Sequence, residues 1–493
     1  MTDFLAPYSG PWSPRLAAHL LRRAGFGGSP ADVAAAAGSG MDSAVDRLIN
    51  FKSDSYPSAP NGDISYPVGP GTQLDPGAIK QRTRSTVLTE LWWLNRCLLT
   101  TNPLQEKMVY FWHNHFTSAI NQNGVQPQDM VDQLNLFKQM AFANFGDLTH
   151  AVTRSTAMLL YLNNAENRKQ HPNENYAREL MELFTMGVGN YSEDDVRESA
   201  RAFTGYSIDR QTRQFAFYPR AHDYGSKTFL SRSGDFDGDD VINTILQQPV
   251  TARFLATKFI KNFVYDRDIE PGLVDAVAGR FRATNYDVRD LMNTLLRSSV
   301  FYSSKAYRGL VKSPLEVVVG AHKMLGASAV EPAALGALIG MGQNPLVPPN
   351  VAGWPGGSLW LNTGTMLARI NYCNRLVLYK AGSGMTLAAG TSMSASSMGD
   401  MADMTDAQKL TPQISPPTDW IAGTSTQDPN SVANRVVDLA VQGDLTGQQL
   451  NMIVNYLSTD AVGNFVQLNG ENIDEKVRGA MSLAMALPAY QLA

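Results

Sequence analysis

Proline directly after a small polar residue recurs where helix-periodic stretches begin, and this pattern constrains the fold more than any other sequence feature. It occurs in SPRLAAHLLRRAGFG (13–27), SPADVAAAAGSG (29–40), NPLQEKMVYFW (102–112) and SPLEVVVGAHKML (313–325). Proline fits the first helical position, where its missing N–H would have no intrahelical partner, and the preceding Ser or Asn side chain can cap the helix. Together with the capping pattern of SEDDVRESARAFTG (192–205), these starts predict a mainly α-helical protein.

Strand patterns are rare in comparison. Residues 213–232 alternate around Phe215 and Phe217 and then turn at Gly225. Alternation with period two followed by a glycine turn is typical of a hairpin. The expected architecture is therefore a large multi-helix body with one small β-hairpin excursion.

Composition along the chain predicts how this body is organised. We expect residues 1–380 to form one helical domain, interrupted by a long loop at 52–77 that is rich in Pro, Gly and Ser. Residues 381–430 are low in complexity and rich in Ser, Met, Gly and Thr, which predicts a linker or surface excursion. Residues 431–493 again show helical patterns, and we expect them to pack back on the body.

The overall composition excludes several classes of protein. With 44% apolar and 17% charged residues and a net charge of −4, the chain has an ordinary globular balance without a basic stripe for nucleic acid. Its two cysteines, Cys97 and Cys373, are too few for a disulfide framework or a cysteine-ligated zinc site, and two buried free thiols are expected.

The same sequence lacks segments that direct a protein to or across a membrane. No stretch approaches the roughly 18 apolar residues that span a bilayer. The start MTDFLAPYSGPWSP has no basic region followed by an apolar one, so no secretory signal is recognised. As written, the chain is expected in the cytoplasm, or in the periplasm or medium if a leader was removed.

The stretch YFWHNHFTS (110–118) places two histidines among aromatic residues. If the helix from Pro103 continues through it, His113 and His115 lie about 200° apart and cannot share a metal ion. In an extended segment they would share a face. Two interpretations stay open: one histidine in the core and one at a helix end, or a site with histidine ligands.

The stretch HPNENYARELMELFTMGVGNY (171–191) contains the strongest candidate group. At 100° per residue, Asn175, Glu179 and Glu182 fall within about 60° of one another at the edge of an apolar helix face, with Arg178 alongside. Two neighbouring carboxyl groups suit acid/base chemistry or oxygen ligands for a divalent ion, although a solvated helix flank would have the same composition. Further polar residues precede them: His171, Asn173 and Glu174.

Two predicted loops add further candidates. In RAHDYGSKT, His222 and Asp223 lie near a hairpin tip, as an acid/base couple or as part of a plain turn before Lys227. In NPLVPPNVAGWPGGSLW, prolines and glycines hold Trp354 and Trp360 on a stiff loop. These tryptophans could stack on sugar rings or cover a helix end.

Seven stretches taken together resemble one family. They are HLLRRAGFGGSP, FWHNHFTS, NENYARELMELFTMGVGNYSEDDVRESARAFTGY, HDYGSKTFL, TARFLATKFIKNFV, SPLEVVVGA and VAGWPGGSLWLNT. Their content and order, between about residues 13 and 378, resemble the bacterial family catalogued as domain of unknown function 1800. The resemblance implies a helical fold, exported relatives and a sulfatase-like neighbour protein as a partner, but no reaction.

We expect a carbohydrate-active enzyme, a hydrolase of glycosidic bonds in a polysaccharide or oligosaccharide. Glycoside cleavage uses two carboxyl groups, here Glu179 and Glu182, with His222 and Asp223 as further catalytic candidates. The substrate-binding candidates are His113, Asn173, Glu174, Asn175, Arg178, Trp354 and Trp360.

Two other functions stay open at this level. In the first, a divalent metal ion is held by four residues: His113, His115, Glu179 and His222. In the second, the protein binds or assembles without catalysis, and its polar motifs only hold helices together. Convergence of His113, Glu179 and His222 in one cleft would favour an enzyme.

Overall fold

The computed structural model describes residues 3–51, 54, 59, 76–209, 211–379 and 414–493, and it is mainly helical as predicted. The described residues form these α-helices: α1 (Pro14–Arg23), α2 (Pro30–Ser39), α3 (Met41–Ile49), α4 (Pro76–Leu99), α5 (Pro103–His115), α6 (Pro127–Gln139), α7 (Phe145–Thr153), α8 (Thr156–Tyr161), α9 (Asn175–Glu179), α10 (Glu193–Ala202), α11 (Gly238–Gln247), α12 (Pro249–Phe263), α13 (Pro271–Ala283), α14 (Val288–Arg297), α15 (Pro314–Met324), α16 (Ala333–Gly340), α17 (Thr363–Leu378), α18 (Pro417–Trp420), α19 (Pro429–Val441), α20 (Gly447–Ser458) and α21 (Ile473–Ala486). A π-helical segment and four 3-10 turns complete them: Leu180–Thr185, then Asn164–Glu166, Pro219–Ala221, Gly357–Trp360 and Pro488–Gln491.

The predicted helix starts are confirmed, with one difference in detail. The Ser13 side chain accepts a hydrogen bond from the Leu16 amide at the start of α1. Reciprocal capping boxes form in three pairs: Ser29 with Asp32, Ser192 with Asp195, and Ser313 with Glu316. α5 begins at Pro103 as expected, but the Asn102 side chain makes no capping hydrogen bond. Local capping chemistry therefore fixes most helix starts.

The strands form two separate antiparallel pairs, so the single hairpin predicted over 213–232 is wrong in its pairing. The four strands are β1 (Tyr206–Ile208), β2 (Phe215–Phe217), β3 (Lys227–Phe229) and β4 (Arg232–Gly234). β2 pairs with β1, the strand before it in the chain, and β3 pairs with β4.

Local backbone geometry explains this difference. The 3-10 turn Pro219–Ala221 interrupts the chain after β2, so β2 does not run on toward Gly225. Leu230 and Ser231 both have positive φ, at 47° and 65°. Two such residues in succession make the tight turn that suits the twist of a two-residue hairpin, and this turn joins β3 to β4.

Two predicted segments lie largely outside the described residues. Of the loop predicted at 52–77, residues 54, 59, 76 and 77 are described, and the last two already belong to α4. The low-complexity segment predicted at 381–430 is described from residue 414 onward, where it includes α18 and the start of α19.

The C-terminal helices lie against the preceding ones. α21 packs on α17 and on α19. Arg308 joins the two parts of the chain, because it donates to the carbonyl of Val441 at 2.7 Å and pairs with Asp444. At the chain end, the Ala493 amide donates to the Leu310 carbonyl at 2.8 Å.

The core is one continuous cluster of apolar side chains, and α5 runs through it. Trp112 is fully buried, and Phe111 and Phe116 are nearly so. Cys97 and Cys373 are buried free thiols, as expected. Within the described ranges, no helix is both long and apolar enough to span a membrane.

Candidate functional site

A cleft of about 450 Å³ lies where α5, α12, the start of α15 and residues 352–360 meet. Four of the stretches that carry the family resemblance contribute to its lining: FWHNHFTS, TARFLATKFIKNFV, SPLEVVVGA and VAGWPGGSLWLNT. Its size is typical of sites for small ligands. Because segments far apart in sequence meet here, this cleft is the candidate functional site.

Asn114, on the last turn of α5, holds the tryptophan loop in place. Its side-chain oxygen accepts the Trp354 amide at 2.7 Å. Gly353 has a φ of 81° and lies against Asn114, so a side chain at residue 353 would be strained and would collide. The glycine in GWPGG is therefore required by the close approach of the loop to α5.

The two candidate tryptophans form the wall of the cleft. Trp354 and Trp360 are 4% and 5% exposed, so the predicted free stacking platforms are corrected to largely buried rings that line the cleft. The Trp354 ring packs beside Tyr110, with ring centroids 6.4 Å apart. Tyr110, Phe111 and Phe263 also line the cleft, so five Phe, Tyr and Trp side chains border it.

Positive charge exceeds negative charge in the cleft. Lys258, Lys261 and Arg267 line it, and none of them forms an ion pair with another described residue. Asp266 likewise has no ion pair within the described ranges. The second carboxylate, on Glu316, is already paired with the ammonium group of Lys107.

Two cleft side chains also hold the π-helical segment that follows α9. Lys258 donates to the carbonyl of Leu183 at 3.0 Å, and His115 Nε2 donates to the carbonyl of Phe184 at 2.9 Å. Burial, and secondly Lys261, lowers the pKa of Lys258 to about 8. Burial, and secondly Lys258, holds the pKa of His115 well below its ordinary value, so the imidazole is neutral.

His113 is buried in the core and does not line the cleft. Its ring lies between Trp93 and Trp354, with both ring centroids 5.5 Å away in edge-on geometry. Neither ring nitrogen has a hydrogen-bond partner within the described part of the chain. Burial lowers the pKa of His113 to about 3, so it is a neutral packing residue. Its predicted role as a substrate ligand is corrected accordingly.

The structure brings the two predicted carboxyl groups together, but outside the lining of the cleft. The Glu179 side chain is half-buried and makes no hydrogen bond or ion pair with other described residues. Burial, and secondly the neighbouring Glu182, raises the pKa of Glu179. Glu182 accepts a hydrogen bond from the Tyr191 hydroxyl at 2.7 Å. The predicted arc of about 60° between these side chains holds for a regular α-helix. The chain becomes π-helical at Leu180, between the two glutamates, so this angle does not apply.

The other polar residues of this stretch have structural partners. Arg178 pairs with Glu174 at 3.0 Å and with Glu193 at 2.8 Å. The Asn173 side chain accepts the Asn175 amide at 3.0 Å, which fixes the start of α9. These contacts hold α9 against α10, and none of these residues lines the cleft, so their substrate-binding role stays a prediction.

His222 and Asp223 do not form an acid/base couple. His222 is buried, and its Nδ1 lies 2.7 Å from the Thr204 carbonyl, to which it donates. Asp223 is paired with Arg201 at 2.8 Å, and the hydrogen bond from Arg201 lowers its pKa. Lys227 donates to the Asp223 carbonyl at 2.6 Å, so this turn is a fixed structural unit.

The four residues proposed as metal ligands do not come together. In the ranges that the structure describes, no three His, Cys, Asp or Glu residues are grouped so that they could hold a metal ion. α5 continues through His115, so His113 and His115 point to different sides. Each of the two is buried among its own aromatic neighbours, and His222 lies on Phe217 and Tyr224. The predicted metal cluster is therefore wrong.

The sequence analysis missed the charged lining of the cleft. Lys258 and Lys261 are three residues apart on an amphipathic helix, a spacing that puts both on one face. Asp266 and Arg267 follow directly after the helix. This spacing was visible in the sequence, but the sequence did not show which side chains would lack ion-pair partners.

Comparison with known proteins gives one match. A family model described as "Protein of unknown function (DUF1800)" matches residues 19–492. The match extends beyond the stretches that carry the resemblance and includes the C-terminal helices. No curated protein and no solved structure matches the chain.

Proposed function

The chain belongs to the DUF1800 family, and we propose that it is a carbohydrate-active protein whose cleft binds an acidic saccharide. The single observation that carries this proposal is the lining of the cleft. Three cations without an ion-pair partner among the described residues, namely Lys258, Lys261 and Arg267, line the cleft together with aromatic side chains. Cations attract uronate or sulfate groups, and aromatic rings contact the apolar faces of sugars.

The proposed reaction on the bound saccharide is hydrolysis of a glycosidic bond. Such hydrolysis needs two carboxyl groups on either side of the bond, roughly 5 to 10 Å apart. Two carboxyl groups, those of Asp266 and Glu316, line the cleft. Glu316 pairs with Lys107 and accepts a hydrogen bond from the Ser313 amide at 2.6 Å. Asp266 has no such partner among the described residues and can therefore contact a ligand.

Glu179 and Glu182 form the alternative pair. The raised pKa of Glu179 suits a general acid, because such a group still carries its proton nearer neutral pH. Both groups share one edge of a helix, however, and a substrate between them would have to bind outside the cleft. Asp266 is therefore the preferred candidate for acid/base catalysis.

Binding is tested first, by isothermal titration of the purified protein with uronate-containing, sulfated and neutral oligosaccharides. We expect binding of an acidic ligand that weakens as salt is raised, since ion pairs are screened. The double variant Lys261→Met/Arg267→Met should lose at least about tenfold in affinity, which corresponds to about 1.4 kcal/mol. Arg220→Met, at an exposed cation away from the cleft, is the matched control.

Turnover is tested by release of reducing ends from the saccharide that binds. We expect activity in the wild type, its loss in Asp266→Asn, and its retention in Glu179→Gln. If activity is lost in Glu179→Gln but kept in Asp266→Asn, the catalytic residues are Glu179 and Glu182 instead. Binding without any turnover would leave a binding protein, and equal affinity for neutral and acidic ligands would contradict the proposed selectivity.

A further inference from the structure

A second cavity, which shares the Glu316 side chain with the cleft, lies between α1, α15, α19 and the 3-10 turn Pro488–Gln491. Its volume is about 40 Å³. A water molecule needs about 10–15 Å³ of such space, so the cavity has room for about three water molecules or one tetrahedral oxyanion. Three charged side chains line it: Arg22, Lys312 and Glu316.

Arg22 is buried in the cavity wall without a carboxylate partner. Its side chain donates from Nη1 to the side-chain oxygen of Gln442, and its guanidinium carbon lies 5.7 Å from the centre of the Tyr307 ring, with which it interacts. Nε and Nη2 have no acceptor among the described residues, although the residue is only 7% exposed. Buried guanidinium N–H groups are costly to leave unpaired. Arg22 therefore has N–H groups at the cavity that are available to an acceptor.

Lys312 supplies a second buried cation to the same cavity. It is 9% exposed, and its ammonium group lies 4.0 Å from the centre of the Tyr490 ring. No ion pair to Lys312 occurs in the described ranges. Burial, followed by Arg22 and Arg308, holds the pKa of Lys312 well below its ordinary value, so its charge is poorly compensated.

The surroundings add further positive charge, and Asp444, which interacts electrostatically with Arg22, offsets part of it. Arg23 and Arg369 are fully or almost fully buried nearby, and each has two guanidinium nitrogens without an acceptor in the described part of the molecule. Both interact electrostatically with Glu316, as Lys312 does. Glu316 is already paired with Lys107, so this one carboxylate cannot neutralise Arg23, Arg369 and Lys312 as well.

We propose that this cavity binds inorganic phosphate or sulfate, with Arg22 and Lys312 as its ligands. The anion accepts the free guanidinium N–H groups and the ammonium protons, and it compensates the buried positive charge. Arg22 lies on α1, Lys312 precedes Ser313, the N-cap of α15, and Gln442 and Tyr490 belong to the C-terminal part of the chain. A bound oxyanion therefore fastens the C-terminal helices to the body.

The test is titration of the full chain with inorganic phosphate and with sulfate, after extensive dialysis against chloride. Isothermal titration should give one site per chain, and the melting temperature should rise with phosphate at constant ionic strength. Lys312→Met keeps the packing volume but removes the charge, and replacing a buried charge by an apolar group is compatible with folding. In this variant we expect at least a tenfold loss of phosphate affinity.

The controls separate this site from the cleft and from general salt effects. Lys169→Met, at an exposed lysine, and Lys261→Met/Arg267→Met in the cleft should both keep the phosphate site. Phosphate and sulfate also stabilise proteins by exclusion from the surface, but this effect is equal in all variants. Absence of a saturable site in the wild type, or unchanged binding in Lys312→Met, would overturn the proposal; if that variant fails to fold, Lys312→Gln replaces it.

Discussion

At the scale of single residues, His113 shows how a polar side chain can serve packing alone. Its ring fills the space between Trp93 and Trp354, yet neither nitrogen is hydrogen-bonded within the described residues. An unpaired buried polar group costs about 1–3 kcal/mol. The residue therefore contributes through its shape while its nitrogens reduce stability.

Replacing His113 by Phe should stabilise the protein. The aromatic contacts remain and the unpaired nitrogens are removed, so we expect the free energy of unfolding at pH 7 to rise by about 1–3 kcal/mol. Urea denaturation followed by circular dichroism measures this change. A loss of stability in His113→Phe would contradict the inference that the ring serves packing alone.

The same variant should change the dependence of stability on pH. The pKa of His113 is about 3 in the folded protein and 6.5 in its ordinary state, so the unfolded chain binds the extra proton. Wild-type stability is then full above pH 6.5 and falls as the pH drops from 6.5 toward 3, by up to about 1.4 kcal/mol per pH unit from this residue. His113→Phe should remove that one-proton contribution, which urea denaturation of the wild type and the variant across this pH range measures.

At the scale of elements, the π-helical segment Leu180–Thr185 links α9, the helix that carries Glu179, to residues of the cleft. Wider turns of this kind shift backbone groups out of the regular helical pattern. Two of the carbonyls in this segment accept hydrogen bonds from Lys258 and His115. The π-helical geometry thus depends on side chains from two other helices, which a single-helix pattern could not reveal.

Variants of two lysines on α12, Lys258 and Lys261, should differ in their effect on stability, because only Lys258 donates to the π-helical segment. Lys258→Met leaves the Leu183 carbonyl without its donor, and we expect the free energy of unfolding to fall by about 1–3 kcal/mol. Lys261 is exposed and unpaired in the described ranges, so Lys261→Met should change stability by less than about 0.5 kcal/mol. Both variants should weaken binding of an acidic saccharide. Equal stability of the two would contradict the structural role of Lys258.

At the scale of the whole molecule, the C-terminal helices are held by contacts from the middle of the chain. Arg308 is the central link, because it donates to the carbonyls of Val441 and Ala489 and pairs with Asp444. Tyr307 donates to the same carboxylate. A cation that binds several groups in this way holds distant helices together through one side chain.

Replacing Arg308 by Met should loosen this attachment. The buried carbonyls and Asp444 lose their donor, and we expect the free energy of unfolding to fall by about 3 kcal/mol. Hydrogen exchange should accelerate over residues 429–491 and stay slow in α5. The control Arg282→Met, at an exposed arginine, should leave both unchanged. Uniform acceleration over the whole chain would contradict a separate role for the C-terminal attachment.

The sequence by itself determined the helical class and most helix starts. Capping residues such as Ser13 and Ser313 act within one turn of their own helix, so their effect is local and can be inferred without the fold.

Only the tertiary structure decided the pairing of the strands, the position of the cleft and the fate of each charge. Whether Asp223 is free or paired with Arg201, and whether Lys261 is paired or free, depends on segments that meet only when the chain folds. Burial and partners set the charge state and availability of a side chain. Both are properties of the packed molecule, and residue type and spacing alone do not contain them.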